Sequence, residues 1–364
     1  VKRVSRIDYA LAYMLPILVE AAPPGPLDAE PEEVAQKPDA VPDPIEIAAA
    51  IAAYLEVPKQ GGSNGIALGR AVTHNRRGML LANPHMPWNE PFQRFYPMHQ
   101  TIPGVSNVVG ANLIGRPRVG FGHTDRVAWT STVSTAKRLS FYRLTLTPGD
   151  PTKYVFDGEV FPMKRRRVAV RVRLPNGDIE TRTHTFFSTH FGAQLVESPI
   201  FAWTEKNAFA VRLVDAGWRG EIALAEQYAA NSVRELKAVH DAHQFLPVNL
   251  VAADRDGSVL YADPGPIPNL ADEVLADCAV LHGAALDGTR SECQWATDDD
   301  AATAGIFAPA QLPALLRDDY VTNSNDSYWL ANPAAPLEGF PKSLGSERTK
   351  RTLRTRSGLS LIHI

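Results

Sequence analysis

The chain has 364 residues, 45% of them hydrophobic and 21% charged, and a formal net charge of -3 at pH 7. That length and apolar content can bury a sizeable core and exceed what one typical domain needs. The near-neutral balance argues against a dedicated nucleic-acid binder, and no uninterrupted apolar stretch reaches the roughly 20 residues of a membrane-spanning helix, so neither partner is expected.

Residues 1–22 are apolar and read as helix. Val1-Lys2-Arg3-Val4 ahead of the stretch from Ala10 to Val19 has the outline of a signal peptide. Pro16 and Glu20 interrupt that outline and no initiator methionine precedes it, so the segment reads as chain interior. Residues 23–44, from Pro23-Pro24-Gly25-Pro26 through Glu30, Glu32, Glu33 and Asp43, hold too little apolar surface to pack and read as a spacer. A short alanine-rich helix, Ile45 to Glu56, then leads to Gly61-Gly62.

From Ser63 onward the pattern is mostly strand. Val168-Ala169-Val170-Arg171-Val172-Arg173-Leu174 alternates apolar and polar residues, and Pro175-Asn176-Gly177-Asp178 follows as a hairpin turn. Lys164-Arg165-Arg166-Arg167 could suggest a nucleic-acid or membrane patch, but arginines alternating along a strand read as a solvated sheet face. Ile222 to Phe245 runs at helical spacing as a single helix, with Leu224, Tyr228, Leu236 and Val239 on one side. His240 and His243 lie on it with too few neighbouring ligands for a metal, and read as an ordinary surface or core pair.

The chemistry centres on Gly61-Gly62-Ser63-Asn64. A serine hydroxyl needs a neighbouring base, and a chain-terminal amine, which titrates near roughly 7.7–8.0, can be that base. Ser63 would acquire such an amine only if the chain were cut after Gly62. Residues without a Cβ suit the strained backbone of that step. By composition alone Gly-Gly-Ser is also a flexible connector, and Asn323-Ser324-Asn325-Asp326-Ser327 is also a turn, so the residues by themselves leave both readings open.

Several further blocks carry a resemblance. They are Ser63 to Gly69, Gly78-Met79-Leu80-Leu81-Ala82-Asn83-Pro84-His85-Met86-Pro87-Trp88, Phe95-Tyr96-Pro97-Met98-His99, Val127-Ala128-Trp129-Thr130-Ser131-Thr132-Val133, and Asn323 to Ser327. With these blocks in order, the chain resembles the N-terminal-nucleophile acylases of the penicillin acylase family, most closely the acyl-homoserine lactone acylase and aculeacin A acylase branch. The resemblance implies an α+β fold, a four-layer α/β/β/α sandwich with two packed antiparallel sheets. It also implies an organisation: residues 1–22 as the end of a small (alpha) subunit, 23–62 as a spacer ending at the cleavage site Gly62–Ser63, and 63–358 as a truncated large (beta) subunit. Residues 359–364, Leu-Ser-Leu-Ile-His-Ile, translate a sequencing adapter, and both ends read as truncated.

The same resemblance implies roles. Ser63 is the nucleophile, and the Val133 backbone N–H with the Asn325 side chain holds the oxyanion. His85 orients Ser63 and its amine, with a structural histidine as the alternative, and Arg354 organises the asparagine side. Met86, Trp88 and Pro247 fall at acyl-pocket positions, where methionine and proline in place of aromatic walls would alter the pocket's shape. Ser134-Thr135-Ala136-Lys137-Arg138 lacks the acidic groups of the calcium-binding branch, so no metal or cofactor is expected. Cys278 and Cys293, the two cysteines present, match a pair found in relatives. A disulfide there points to the periplasm or to secretion, and two buried free thiols are the alternative.

The implied activity is hydrolysis of N-acyl amides by a self-processed enzyme partnered with its own alpha subunit. Acyl-homoserine lactones are the leading substrates, which would make the enzyme quorum-quenching. Penicillin, cephalosporin or cyclic lipopeptide amides are the alternative, and an uncleaved, non-catalytic secreted binding protein is the rival from another class.

Overall fold

The computed structural model describes residues 62–86, 94–196, 201–214 and 218–361. The subunit remnant, the spacer up to Gly61, the helix expected over Ile45 to Glu56, Trp88 and residues 362–364 lie outside the described residues.

The chain opens with strands β1 (Gly62–Leu68), β2 (Met79–His85), β3 (Phe95–Ile102), β4 (Ser106–Leu113), β5 (Phe121–His123) and β6 (Val127–Val133). Then come β7 (Leu139–Thr147), β8 (Asp150–Phe156), β9 (Glu159–Pro162), β10 (Lys164–Arg173), β11 (Ile179–Ser188), β12 (Gln194–Val196) and β13 (Asn207–Leu213). Helices α1 (Arg219–Glu226) and α2 (Val233–His243) precede β14 (Val248–Asp254) and β15 (Val259–Ala262). Helix α3 (Asp272–Cys278), β16 (Ala279–Val280), β17 (Ala285–Asp287), β18 (Ala314–Arg317), β19 (Tyr320–Asn323) and α4 (Leu353–Leu361) complete the order.

These elements fall into two compact units. One comprises Leu139–Leu213 with Leu270–Trp295. Its sheet runs β10-β11-β12-β13-β7-β17-β16, with β8 and β9 branching from β7. All pairings are antiparallel except β17 with β7. The hairpin expected at Asn176-Gly177 is formed, pairing Lys164 with Ser188 through Arg173 with Ile179. Its loop is wider than a two-residue turn, because Leu174 N–H donates to Asp178 O while Gly177 takes φ +91°. Arg165, Arg166, Arg167, Arg171 and Arg173 are exposed, and so are Ala169 and Val170, so this strand is open on both faces and not on one as expected. Phe141, Phe201, Phe209, Val211 and Ala285 form a core cluster. Cys278 and Cys293 are joined in a buried disulfide. Closing a loop of 15 residues restricts the unfolded chain and contributes about 3 kcal/mol.

The other unit comprises the described part of Val57–Arg138 with Val214–Asn269 and Ala296–Ile364. It holds a seven-stranded sheet, β18-β15-β14-β6-β5-β4-β3, and a three-stranded sheet, β19-β1-β2. Alternation along the strands divides the core in two. Val127, Trp129, Leu250 and Ala252 face Val233 and Leu236 of α2, whereas Val251, Ala253 and Tyr261 pack with Ala67 and Val321 of the smaller sheet. Gly65 permits this approach, since a Cβ there would stand 3.0 Å from Val251 and 3.2 Å from Thr130. The fold is therefore α+β with packed antiparallel sheets.

One expectation is corrected. Ile222 to Phe245 is not a single helix. After α1 and a short 3-10 turn, Ala230 and Ser232 adopt extended backbone, and α2 begins afresh. Ser232 Oγ accepts the Glu235 N–H at 3.2 Å, and Glu235 reaches back to the Asn231 N–H at 2.9 Å. This start signal overrides the continuous apolar spacing.

His240 is buried on α2 and stacks on Phe245 with ring centroids 5.3 Å apart. Among the described residues no hydrogen-bond partner reaches either ring nitrogen. Burial, with the neighbouring His243 charge as a smaller cause, pushes its pKa down to about 3. The unfolded chain therefore takes up this proton first as the pH falls. Stability is full above about pH 6.5 and is lost toward about pH 3, with about 2 kcal/mol gone at about pH 5. Melting temperatures between about pH 7 and pH 5 should accordingly fall less steeply in His240→Leu than in the wild type.

Candidate active site

The site forms where the small sheet runs out of ladder. Pairing of β1 with β19 extends from Leu68↔Tyr320 to Gly65↔Asn323 and stops, while pairing with β2 continues to Gly62↔His85. Beyond Asn323 the chain turns through Asn325, whose φ of +66° is left-handed, a conformation asparagine tolerates better than most residues. The Ser63 backbone, facing that edge, would be left without ladder partners. Side chains supply them: Ser63 N–H donates to Asn325 Oδ1 at 2.5 Å, and Ser63 O accepts from Arg354 at 2.8 Å. Opposite Ser63, β2 carries Pro84, and its missing N–H leaves no gap because Ser63 directs its polar groups to the other edge.

Ser63 is 7% exposed, and by strand alternation its side chain shares the inward face of β1 with Gly65 and Ala67. Its hydroxyl donates to Gly62 O at 2.7 Å. Asn325 Nδ2 donates to Val133 O at 3.2 Å, and Arg354 also donates to Asn64 Oδ1 at 2.9 Å. A Cβ on Gly62 would collide with the Arg354 guanidinium and stand 3.0 Å from Asn325 Oδ1. Glycine is thus the residue that fits beside this pair.

Ser63, Val133, Asn325 and Arg354 are therefore brought together at one end of the two sheets. Pro247 lies just ahead of β14, whose Val248 pairs with Val133, and Met86 follows the end of β2. His85 is placed differently from its expected role. Its Nε2 lies 2.6 Å from Asn83 Oδ1, and its strand position puts it on the face opposite the Ser63 side chain. A cleft between α4 and Asn64, Ile66, Leu81 and Asn83 also opens on that reverse face.

A second set of residues was not singled out from sequence. Thr132, Asn249, Tyr261 and Asn323 are at most 4% exposed and hydrogen-bond to one another behind the Val133–Asn325 pair. Burial, with Asp263 nearby as a second cause, raises the Tyr261 phenol well above its ordinary pKa and keeps it a donor. The available signal was a polar residue at a strand position whose neighbours two residues away are core, as with Asn249 before Val251 and Ala253.

Comparison with known proteins gives the following. A family model described as penicillin amidase matches residues 10–363. Aculeacin-A acylase of Actinoplanes utahensis is 46% identical over 360 residues, covering 95% of this chain and 43% of that protein. Acyl-homoserine lactone acylase PvdQ of Pseudomonas fluorescens strain Pf-5 is 40% identical over 306 residues, 82% of this chain and 39% of that protein. The chain thus spans less than half the length of these curated relatives. A thermostable penicillin G acylase from Alcaligenes faecalis shares the fold, with a TM-score of 0.59 at 19% identity over 78% of this chain and 46% of that one.

Proposed function

Because the chain belongs to the penicillin amidase family, we propose that it is part of a self-processing N-terminal-serine amidohydrolase of N-acyl substrates. The observation that carries this reading is the buried Ser63 hydroxyl 2.7 Å from the Gly62 carbonyl oxygen, with the Ser63 nitrogen already held by Asn325. In the first step Ser63 Oγ attacks the Gly62 carbonyl carbon. The C–N bond breaks, its nitrogen takes up the hydroxyl proton as the free amine of Ser63, and water hydrolyses the resulting ester. A chain ending at Gly62 and one beginning at Ser63 result.

The freed amine then serves as the base. Acting through a water, it takes the Ser63 hydroxyl proton as Oγ attacks the substrate amide, and the Val133 N–H with Asn325 Nδ2 stabilises the oxyanion. The amine product leaves with that proton, and water releases the acid from the acyl-serine ester. Arg354, bound to Ser63 O, holds the strand end still. His85, bonded to Asn83, takes no part in proton transfer on this reading.

Acyl-homoserine lactones are the proposed substrates, giving a fatty acid and homoserine lactone and so quorum quenching. The 46% identity to aculeacin-A acylase favours a cyclic lipopeptide amide as the second reading. The proposed organisation keeps 1–22 as the end of an alpha subunit, 23–62 as spacer and 63–358 as beta subunit, within a four-layer α/β/β/α sandwich. The disulfide supports a periplasmic or secreted location.

The deciding experiment is intact mass and N-terminal sequencing of the product of the whole gene expressed in a bacterial periplasm. A chain beginning Ser63-Asn64-Gly65 is expected, followed by hydrolysis of acyl-homoserine lactones in preference to penicillin-type and lipopeptide amides. An uncleaved chain would remove the free amine and leave the non-catalytic binding protein as the better account. Gly62→Val, whose side chain displaces Arg354 or Asn325, should slow cleavage about tenfold in a time course read by gel or mass.

A further inference from the structure

Oxyanion stabilisation needs two donors aimed at one point, and here they come from different sheets. Val133 ends β6 in the seven-stranded sheet, and Asn325 follows β19 in the three-stranded one. Chain connectivity does not set their separation.

Asn249, on β14, reaches both sides. Its Nδ2 lies 3.2 Å from Val133 O, 3.0 Å from Thr132 Oγ1 and 3.2 Å from Asn323 Oδ1. Asn323 Oδ1 also accepts the Thr132 hydroxyl at 2.6 Å and the Asn325 backbone N–H at 2.9 Å. At its other end, Asn249 Oδ1 accepts the Tyr261 hydroxyl at 2.8 Å. That bond decides which way the amide faces, because a phenol kept protonated must find an acceptor. The amide is thereby pinned as a strut, with Oδ1 anchored on Tyr261 and Nδ2 reaching both the Val133 carbonyl and the side chain that holds the Asn325 turn. In so buried a setting an unmade hydrogen bond is costly, which makes the arrangement rigid.

We propose that Asn249 is a positioning residue that sets the separation of the Val133 and Asn325 donors. It acts through Val133 and Asn323 and touches neither Ser63 nor the reacting bond. The assignment rests on the oxyanion reading given above. Displacement of a donor by about 1 Å costs roughly a hundredfold in rate, so the strut acts on turnover and not on substrate affinity.

The test compares Asn249→Leu, Tyr261→Phe and Ser63→Ala, each expressed from the whole gene. Melting temperature, cleavage at Gly62–Ser63, and kcat and KM on an acyl-homoserine lactone are measured. Asn249→Leu should lower kcat about a hundredfold with KM within about twofold of wild type. Tyr261→Phe, which leaves Asn249 Oδ1 without its donor and frees the amide to turn, should lower the melting temperature by a few degrees and kcat about tenfold in protein that is still fully folded at the assay temperature. Loss of cleavage in a folded variant is the same defect read in the first acyl transfer. Tyr261→Phe decides the matter if Asn249→Leu does not fold. Wild-type kcat in the folded variants, with Ser63→Ala inactive, would overturn the strut and leave the site reading intact. So would a fall in kcat that only matches the fraction of protein unfolded. Full activity in Ser63→Ala would overturn both readings.

Discussion

Ser63→Ala is expected to leave the precursor as one uncleaved chain and to lower amide hydrolysis by about four orders of magnitude or more. One oxygen atom is removed, yet two functions go with it. Without the hydroxyl nothing attacks the Gly62 carbonyl, so the amine that would act as base is never released, and the acyl acceptor is also gone. The fold should be untouched, because the contacts that seat this strand end are made by the Ser63 backbone with Asn325 and Arg354, and alanine retains both. Intact mass, N-terminal sequencing and initial rates, read beside the melting temperature, separate chemistry from stability. A cleaved or active Ser63→Ala protein would end the mechanism.

Asn325→Gly should lower kcat by about a hundredfold to a thousandfold with a much smaller change in KM. Glycine is the informative replacement because Asn325 sits at φ +66°, where a Cβ is disfavoured. It keeps the turn and removes the amide, so the loss reports the missing oxyanion donor together with the missing acceptor for the Ser63 nitrogen. Asn325→Leu adds backbone strain of about 1 kcal/mol to the same loss and should melt lower. Steady-state kinetics on both variants, with melting curves, check this. Equal kcat in Asn325→Gly and wild type would show that the oxyanion is held by other groups.

The parts of the site legible in the sequence were those whose chemistry is local. Ser63 stood out beside Gly62, and Asn325 stood out in a run of turn-forming residues, though it was the resemblance that chose between turn and catalysis. The strut behind them was not legible. Thr132, Asn249 and Asn323 lie on three different strands, and a polar residue in a strand declares its partner only when the register is known. Register likewise explains His85: its place opposite Gly62, one residue past Pro84, is what turns it toward Asn83. The division of the expected 222–245 helix came from the reverse problem. Apolar spacing continued across Asn231-Ser232, while a hydroxyl able to accept a backbone N–H started a new helix there.

The early end of the β1–β19 ladder has a mechanical consequence. On the β19 side, side chains and not a neighbouring strand hold the Ser63 backbone, so a cut just upstream would open only the pairing of Gly62 with His85, and every pairing from Gly65 to Leu68 on the β19 side would stay closed. A new terminus made in this way is seated at birth. It needs no refolding to take up its post, and the energy of the broken peptide bond is not spent on rebuilding the sheet around it.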